Sequence, residues 1–183
     1  MEWKWPAEHG VDCKDYHPRY EGGQVATNGH YGRGGIAIAC DRTSTTANHG
    51  DTFHSNLPDY GVSGNDYIDF IFTFDEANTW CSGYRQFGSN AHSSWLIGSY
   101  TKDIQISTSN DKVHWTQVAT GSHSTWVNGA TPTFTNDGTT TEWTPKAPSK
   151  YVKVHTLTNH GNTNFGGLLS VRFLQLKFAV GPN

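Results

Sequence analysis

The chain has 183 residues and a formal net charge of −3, from 13 Lys and Arg against 16 Asp and Glu, with no basic run and no acidic tail. That length predicts one domain with a substantial core. The charge balance argues against nucleic acid or an anionic bilayer as partner, and no stretch approaches the ~20 apolar residues of a membrane-spanning helix.

Along the chain, "MEWKWPAEHG" lacks the apolar core of a signal peptide, which leaves a cytosolic protein or a mature piece of a longer one. Residues 1–35, with "EGGQVATNGHYGRGG", read as an irregular amino-terminal segment packed on, or leading into, a domain at 36–183. Trp3 and Trp5 are expected to pack this segment onto that domain. "GIAIAC" (35–40) reads as a short buried strand, and the polar stretch 41–64 is too long to be an idle connector.

"DYIDFIFTF" gives the clearest strand: Ile68, Phe70, Phe72 and Phe74 share one face, Tyr67, Asp69, Ile71 and Thr73 the other. It continues into "CSGYRQFGSN", where Arg85 follows an apolar run with no obvious acidic neighbour. "DIQISTSNDKVHWTQVATG" reads as two strands joined by a turn at "SNDK". "TPTFTN", "TEWTP", "KYVKVHTL" and "LLSVRFLQLKFAV" complete the set. With 13% aromatics, 20 glycines and no helical period of useful length, the pattern predicts an all-β antiparallel sandwich or barrel. Cys13, Cys40 and Cys81 lack Cys-x-x-Cys spacing, so a zinc cluster is not expected. Either Cys13 pairs with Cys40 or all three stay free, and Cys81 reads as a buried small residue.

Five of these segments, in order, resemble the discoidin-like, coagulation factor V/VIII type C superfamily, and most closely the family 32 carbohydrate-binding modules. They are "NHGDTFHS", "DYIDFIFTFDEANTWCSGYRQFGSN", "IQISTSNDKVHWTQVATG", "APSKYVKVHTL" and "LSVRFLQLKF". The third matches the family's Y-S-x-D-G-x-x-W hairpin with Asn110, Asp111 and Trp115. The resemblance spans about 36–180 and implies a galactose-binding-like jelly-roll β-sandwich of two antiparallel sheets, with ligands held in loops at one end. Trp115 is then expected in the core and Trp143 in the core or as a loop anchor.

The resemblance also implies a binding site. His54, Arg85 and Asn90 match the family's polar ligand residues, and Phe165 in "NHGNTNFGG" matches the aromatic that stacks on the sugar. Trp95 and Trp126 compete for that stacking role, and Asn162 lies in the same loop as Phe165. Galactose and N-acetylgalactosamine present an axial O4 beside a continuous C–H face. An aromatic ring covers that face, while Arg, neutral His and Asn supply directed donors and acceptors for the hydroxyl. An unsatisfied group would cost ~1–3 kcal/mol, which lets such a site reject the equatorial epimer.

Relatives often hold a structural calcium; here Asp51, Thr52 and Gln175 would contribute ligands. His49 and Gln175 stand where the pattern has acids, leaving mainly amide and carbonyl oxygens for the ion. The expected function is a non-catalytic carbohydrate-binding module, or lectin, for glycans ending in galactose or N-acetylgalactosamine, belonging to an extracellular or cell-surface protein of several domains. The alternatives are a discoidin-type module binding protein or anionic lipid and, further off, a glycan-active enzyme. No H-E-x-x-H or G-x-S-x-G motif supports the last of these.

Overall fold

The computed structural model describes residues 2–4, 11–12, 16–20, 24–25, 53–54, 67–74, 76, 78–87, 102–122, 138–158, 170–171 and 173–181. Among them every regular element is a strand: β1 (Glu2–Lys4), β2 (Val11–Asp12), β3 (Tyr16–Tyr20), β4 (Gln24–Val25), β5 (Phe53–His54), β6 (Tyr67–Phe74), β7 (Cys81–Phe87), β8 (Asp103–Ser109), β9 (Thr116–Ser122), β10 (Gly138–Glu142), β11 (Tyr151–Thr156), β12 (Ser170–Val171) and β13 (Phe173–Phe178). A four-stranded sheet runs β1-β13-β7-β10 and a seven-stranded sheet runs β4-β3-β6-β11-β8-β9, with β2 pairing β6 off that path. All pairings are antiparallel. The expected antiparallel β-sandwich is the fold observed.

Period-two alternation explains the core. Phe70, Phe72 and Phe74 of β6, Ile104 and Ile106 of β8, and Val152 and Val154 of β11 present one buried face. Tyr84, Leu174 and Leu176 of the smaller sheet meet them, each fully buried. Phe72 and Tyr84 stand 6.4 Å apart by ring centroid, and Phe74 meets Phe178 edge-on at 5.8 Å. Each such side chain contributes ~1.5–3 kcal/mol by leaving water. A register shift between Lys177 and Phe178 brings Cys81 opposite Phe178, so both join the core. Cys81 is buried, as expected, and burial pushes its thiol up to about 12.

The structure departs from the sequence reading in two places. Within the segment 1–35, read as irregular, the described residues supply β1 to the smaller sheet and β2, β3 and β4 to the larger. Asp69 and Ile71, on the outer face of β6, are buried as well. Asp69 lies beneath the β11 side chains, with His155 Nδ1 at 2.6 Å and Lys153 Nζ at 4.0 Å. Trp115 is not core: it sits at the foot of β9 outside the larger sheet, donating from Nε1 to the Lys112 carbonyl at 3.1 Å under the Lys153 ammonium at 4.6 Å. Trp143 packs against the core as expected. The strands expected at 35–40 and 131–136, Trp5, and the Cys13–Cys40 pair lie outside the described residues.

The register sorts strand ends into two groups. Tyr67, Phe87, Asp103, Ser122, Gly138, Thr156 and Phe173 fall at one end; Phe74, Cys81, Ser109, Thr116, Glu142, Tyr151 and Phe178 fall at the other.

Candidate functional site

Among the expected sugar-binding residues, Arg85 is the one whose side chain lies among the described residues. Core-facing Tyr84 and Gln86 flank it, Tyr84 donating from its hydroxyl to Gln86 Oε1 at 2.8 Å, so alternation turns Arg85 to the outer face of the smaller sheet. There it lies level with Thr140 of β10 and Gln175 of β13. Its Nε donates to Thr140 Oγ1 at 3.1 Å and its Nη1 to Gln175 Oε1 at 3.4 Å. The guanidinium carbon stacks 4.2 Å from the centre of the Trp3 ring. The question raised by an arginine without an acidic neighbour is thus answered: two neutral acceptors and one aromatic face hold it.

Gly83 makes this arrangement possible. A Cβ there would lie 2.9 Å from Trp3 Cη2 and 2.9 Å from Lys177 Cβ, so only hydrogen lets the indole cross β7. Lys177 passes over the same gap, its Nζ 5.5 Å from the Trp3 ring centre and donating to Glu142 Oε2 at 2.6 Å. Arg85 is therefore a half-buried, oriented fork two positions before the end of β7, where the chain continues toward Asn90 and Trp95.

His54 lies in β5, opposite Ser170 of β12, a short pair at the end of the molecule where β13 begins. Asn90, Trp95, Trp126, Asn162 and Phe165 lie outside the described residues. They belong to segments that join Phe87 to Asp103, Ser122 to Gly138, and Thr156 to Ser170, strand ends that share one end of the sandwich or lead to it. Of the calcium set, Asp51 and Thr52 lie outside the described residues. Gln175 does not fit: its Oε1 already accepts from Arg85, and a dication there would face a guanidinium. Among the described residues no group of three His, Cys, Asp or Glu could hold a metal ion.

Sequence reasoning missed the Thr140–Arg85–Gln175 row and the Trp3 stack, because those partners come from three distant segments. It also missed a cleft at the opposite end, of about 390 Å³, between the β8–β9 turn and residues 143–149. The turn is held by Asp111, whose Oδ1 accepts from the backbone N–H of Val113 and of His114, each at 2.8 Å, and whose Oδ2 meets His114 Nδ1 at 2.7 Å. The His114 side chain first, then the two backbone donors, hold its carboxyl well below the usual carboxylate range. Asn110 ties the turn to the far wall, accepting from Lys150 N at 2.9 Å and donating to the Pro148 carbonyl at 3.4 Å.

No family model and no curated protein matches the sequence. Solved structures do. A family 32 carbohydrate-binding module from a family 31 glycoside hydrolase of Clostridium perfringens superposes with a TM-score of 0.62 at 18% identity, over 96% of this chain and 99% of that one. A fragment of a putative chitobiase from Bacteroides thetaiotaomicron gives 0.59 at 11% identity, over 95% and 92%. A further family 32 module of Clostridium perfringens, in complex with GalNAc-β-1,3-galactose, gives 0.54 at 15% identity, over 88% and 94%. The chain shares the β-sandwich fold of these modules over most of its length.

Proposed function

We propose that this domain is a non-catalytic carbohydrate-binding module that anchors a larger extracellular or cell-surface protein to glycans ending in galactose or N-acetylgalactosamine. The observation that carries the reading is the fold, shared along nearly the whole chain with family 32 modules. The galacto preference draws support from the residue types at the loop end and from a structural relative in complex with GalNAc-β-1,3-galactose. In this reading His54, Asn90 and the oriented fork of Arg85 bind the axial hydroxyl, Asn162 assists, and Phe165, with Trp95 and Trp126 beside it, covers the C–H face. Sugar hydroxyls and water complete the coordination of a guanidinium already fixed by Thr140 and Gln175. A rim-bound monosaccharide buries little area, so its affinity falls in the roughly micromolar to millimolar range.

Calorimetry with galactose and N-acetylgalactosamine on the wild type, Arg85→Lys and Arg85→Ala tests this. Lysine keeps a cation over Trp3 but loses the planar fork. Arg85→Lys is expected to weaken binding about 10-fold to 100-fold, equivalent to about 1.5–3 kcal/mol, while its thermal midpoint stays close to the wild type. Undiminished binding by both variants would remove Arg85 from the site. No binding by the wild type would remove the sugars themselves.

A further inference from the structure

The cleft at the far end of the sandwich has the makings of a second ligand site. Trp143, Val118, Pro145 and Pro148 give it apolar walls, with buried Cys81 at its base. Its rim offers several hydrogen-bond donors. The Asp111 carboxylate is committed to the turn through Val113, His114 and Ser109. Gln117 Oε1 already accepts from Gln105 Nε2 at 2.7 Å, leaving its amide N–H groups for a ligand. Thr116 and Thr144 are exposed on the same rim. Lys146 is exposed and makes no ion pair among the described residues. On the wall, the Trp143 indole N–H is buried with no acceptor among the described residues, a state that folds tolerate rarely.

We propose that this cleft is a second saccharide subsite, opposite the loop end, that takes a hexuronate. The choice of a saccharide rests on the function proposed above; the choice of an acidic one rests on the cleft itself. A pyranose C–H face lies against the Trp143 and proline walls, its hydroxyl oxygens accept from Gln117 and Thr144, and its carboxylate meets Lys146. The volume is within the range of small-molecule sites. A module with ligand sites at both ends bridges two glycan chains.

Heteronuclear NMR titration of the intact domain tests the proposal with glucuronate, glucose, galactose and acetate as probes. Glucose and glucuronate carry the equatorial O4 that the loop site is proposed to reject, so their signals report on the cleft alone. Glucuronate is expected to shift the backbone amides of Gln117, Thr144 and Lys146 and the Trp143 indole N–H saturably, at least several-fold more tightly than glucose. Lys146→Met should bring the two sugars together without moving galactose-induced shifts at the loop end. Absence of glucuronate shifts at the cleft would overturn the proposal, as would equal binding of glucose, or acetate reproducing the effect. Loss of galactose shifts at the loop end would count against the first site and leave the second standing.

Discussion

At the residue scale, the β8–β9 turn shows how a sequence can follow a family pattern and still strain it. The family hairpin has glycine after the aspartate; here Lys112 occupies that position with φ 62°. A side chain in this left-handed region costs ~1–2 kcal/mol. Lys112 offsets part of that by holding its ammonium 4.9 Å from the centre of the Tyr151 ring, worth ~0.5–1 kcal/mol at an exposed site. Lys112→Gly is therefore expected to raise stability by about 0.5–1 kcal/mol in urea denaturation, and Lys112→Ala to fall below the wild type; the reverse order would show that the backbone is unstrained. Asp111 beside it governs a pH response. A carboxylate held below its ordinary value by His114 and two backbone donors stabilises the fold fully above the unfolded value of ~3.9 and progressively less as pH falls through and below it. Asp111→Asn should lower the thermal midpoint at pH 7 and flatten its decline between about pH 5 and pH 2. A variant whose midpoint falls as steeply as the wild type would show that other carboxylates set the acid limit.

At the element scale, β1 is held by one edge pairing and one ring. Its backbone pairs Glu2, Trp3 and Lys4 with Phe178, Lys177 and Leu176, and the Trp3 indole lies across β7 above Gly83 and Arg85. Gly83→Ala adds a methyl where Trp3 and Lys177 leave no room, so it should destabilise by ~1–3 kcal/mol, the usual cost of overpacking. Combined with Trp3→Ala the two losses should be less than additive, because removing the ring vacates the space. Full stability of Gly83→Ala would mean that β1 does not dock as described. This docking was not legible in the sequence. The strands β6, β8, β11 and β13 announced themselves through alternating apolar residues. By contrast β2 and β4 are two residues long, and β3 carries Pro18, which cannot donate to a ladder and marks an edge or a non-strand position. Such short segments owe their conformation to the neighbour they pair with, and nothing local reveals it. Trp115 was misjudged for a related reason: which face an aromatic beside a turn takes depends on what the adjoining strand offers, here Lys153.

At the scale of the whole molecule, the sandwich separates two ends, each of which the proposals above make a ligand site. The proposed sugar residues could be picked out in the sequence only through their order along the chain, since His54, Arg85 and Phe165 are ordinary residue types taken singly. The far end carries the cleft, whose walls come from Cys81, the β8–β9 hairpin and residues 143–149; no motif marks it, because it exists only once the strands are paired. Between the ends, the buried Phe, Ile, Val, Leu and Tyr side chains give a rigid frame. The central claim is that the loop end recognises a terminal galactoside. A glycan array probed with the labelled wild-type domain tests it most directly: signal confined mainly to glycans ending in galactose or N-acetylgalactosamine is the predicted result, and an array without such signal, with or without strong retention on phosphatidylserine vesicles, would contradict it.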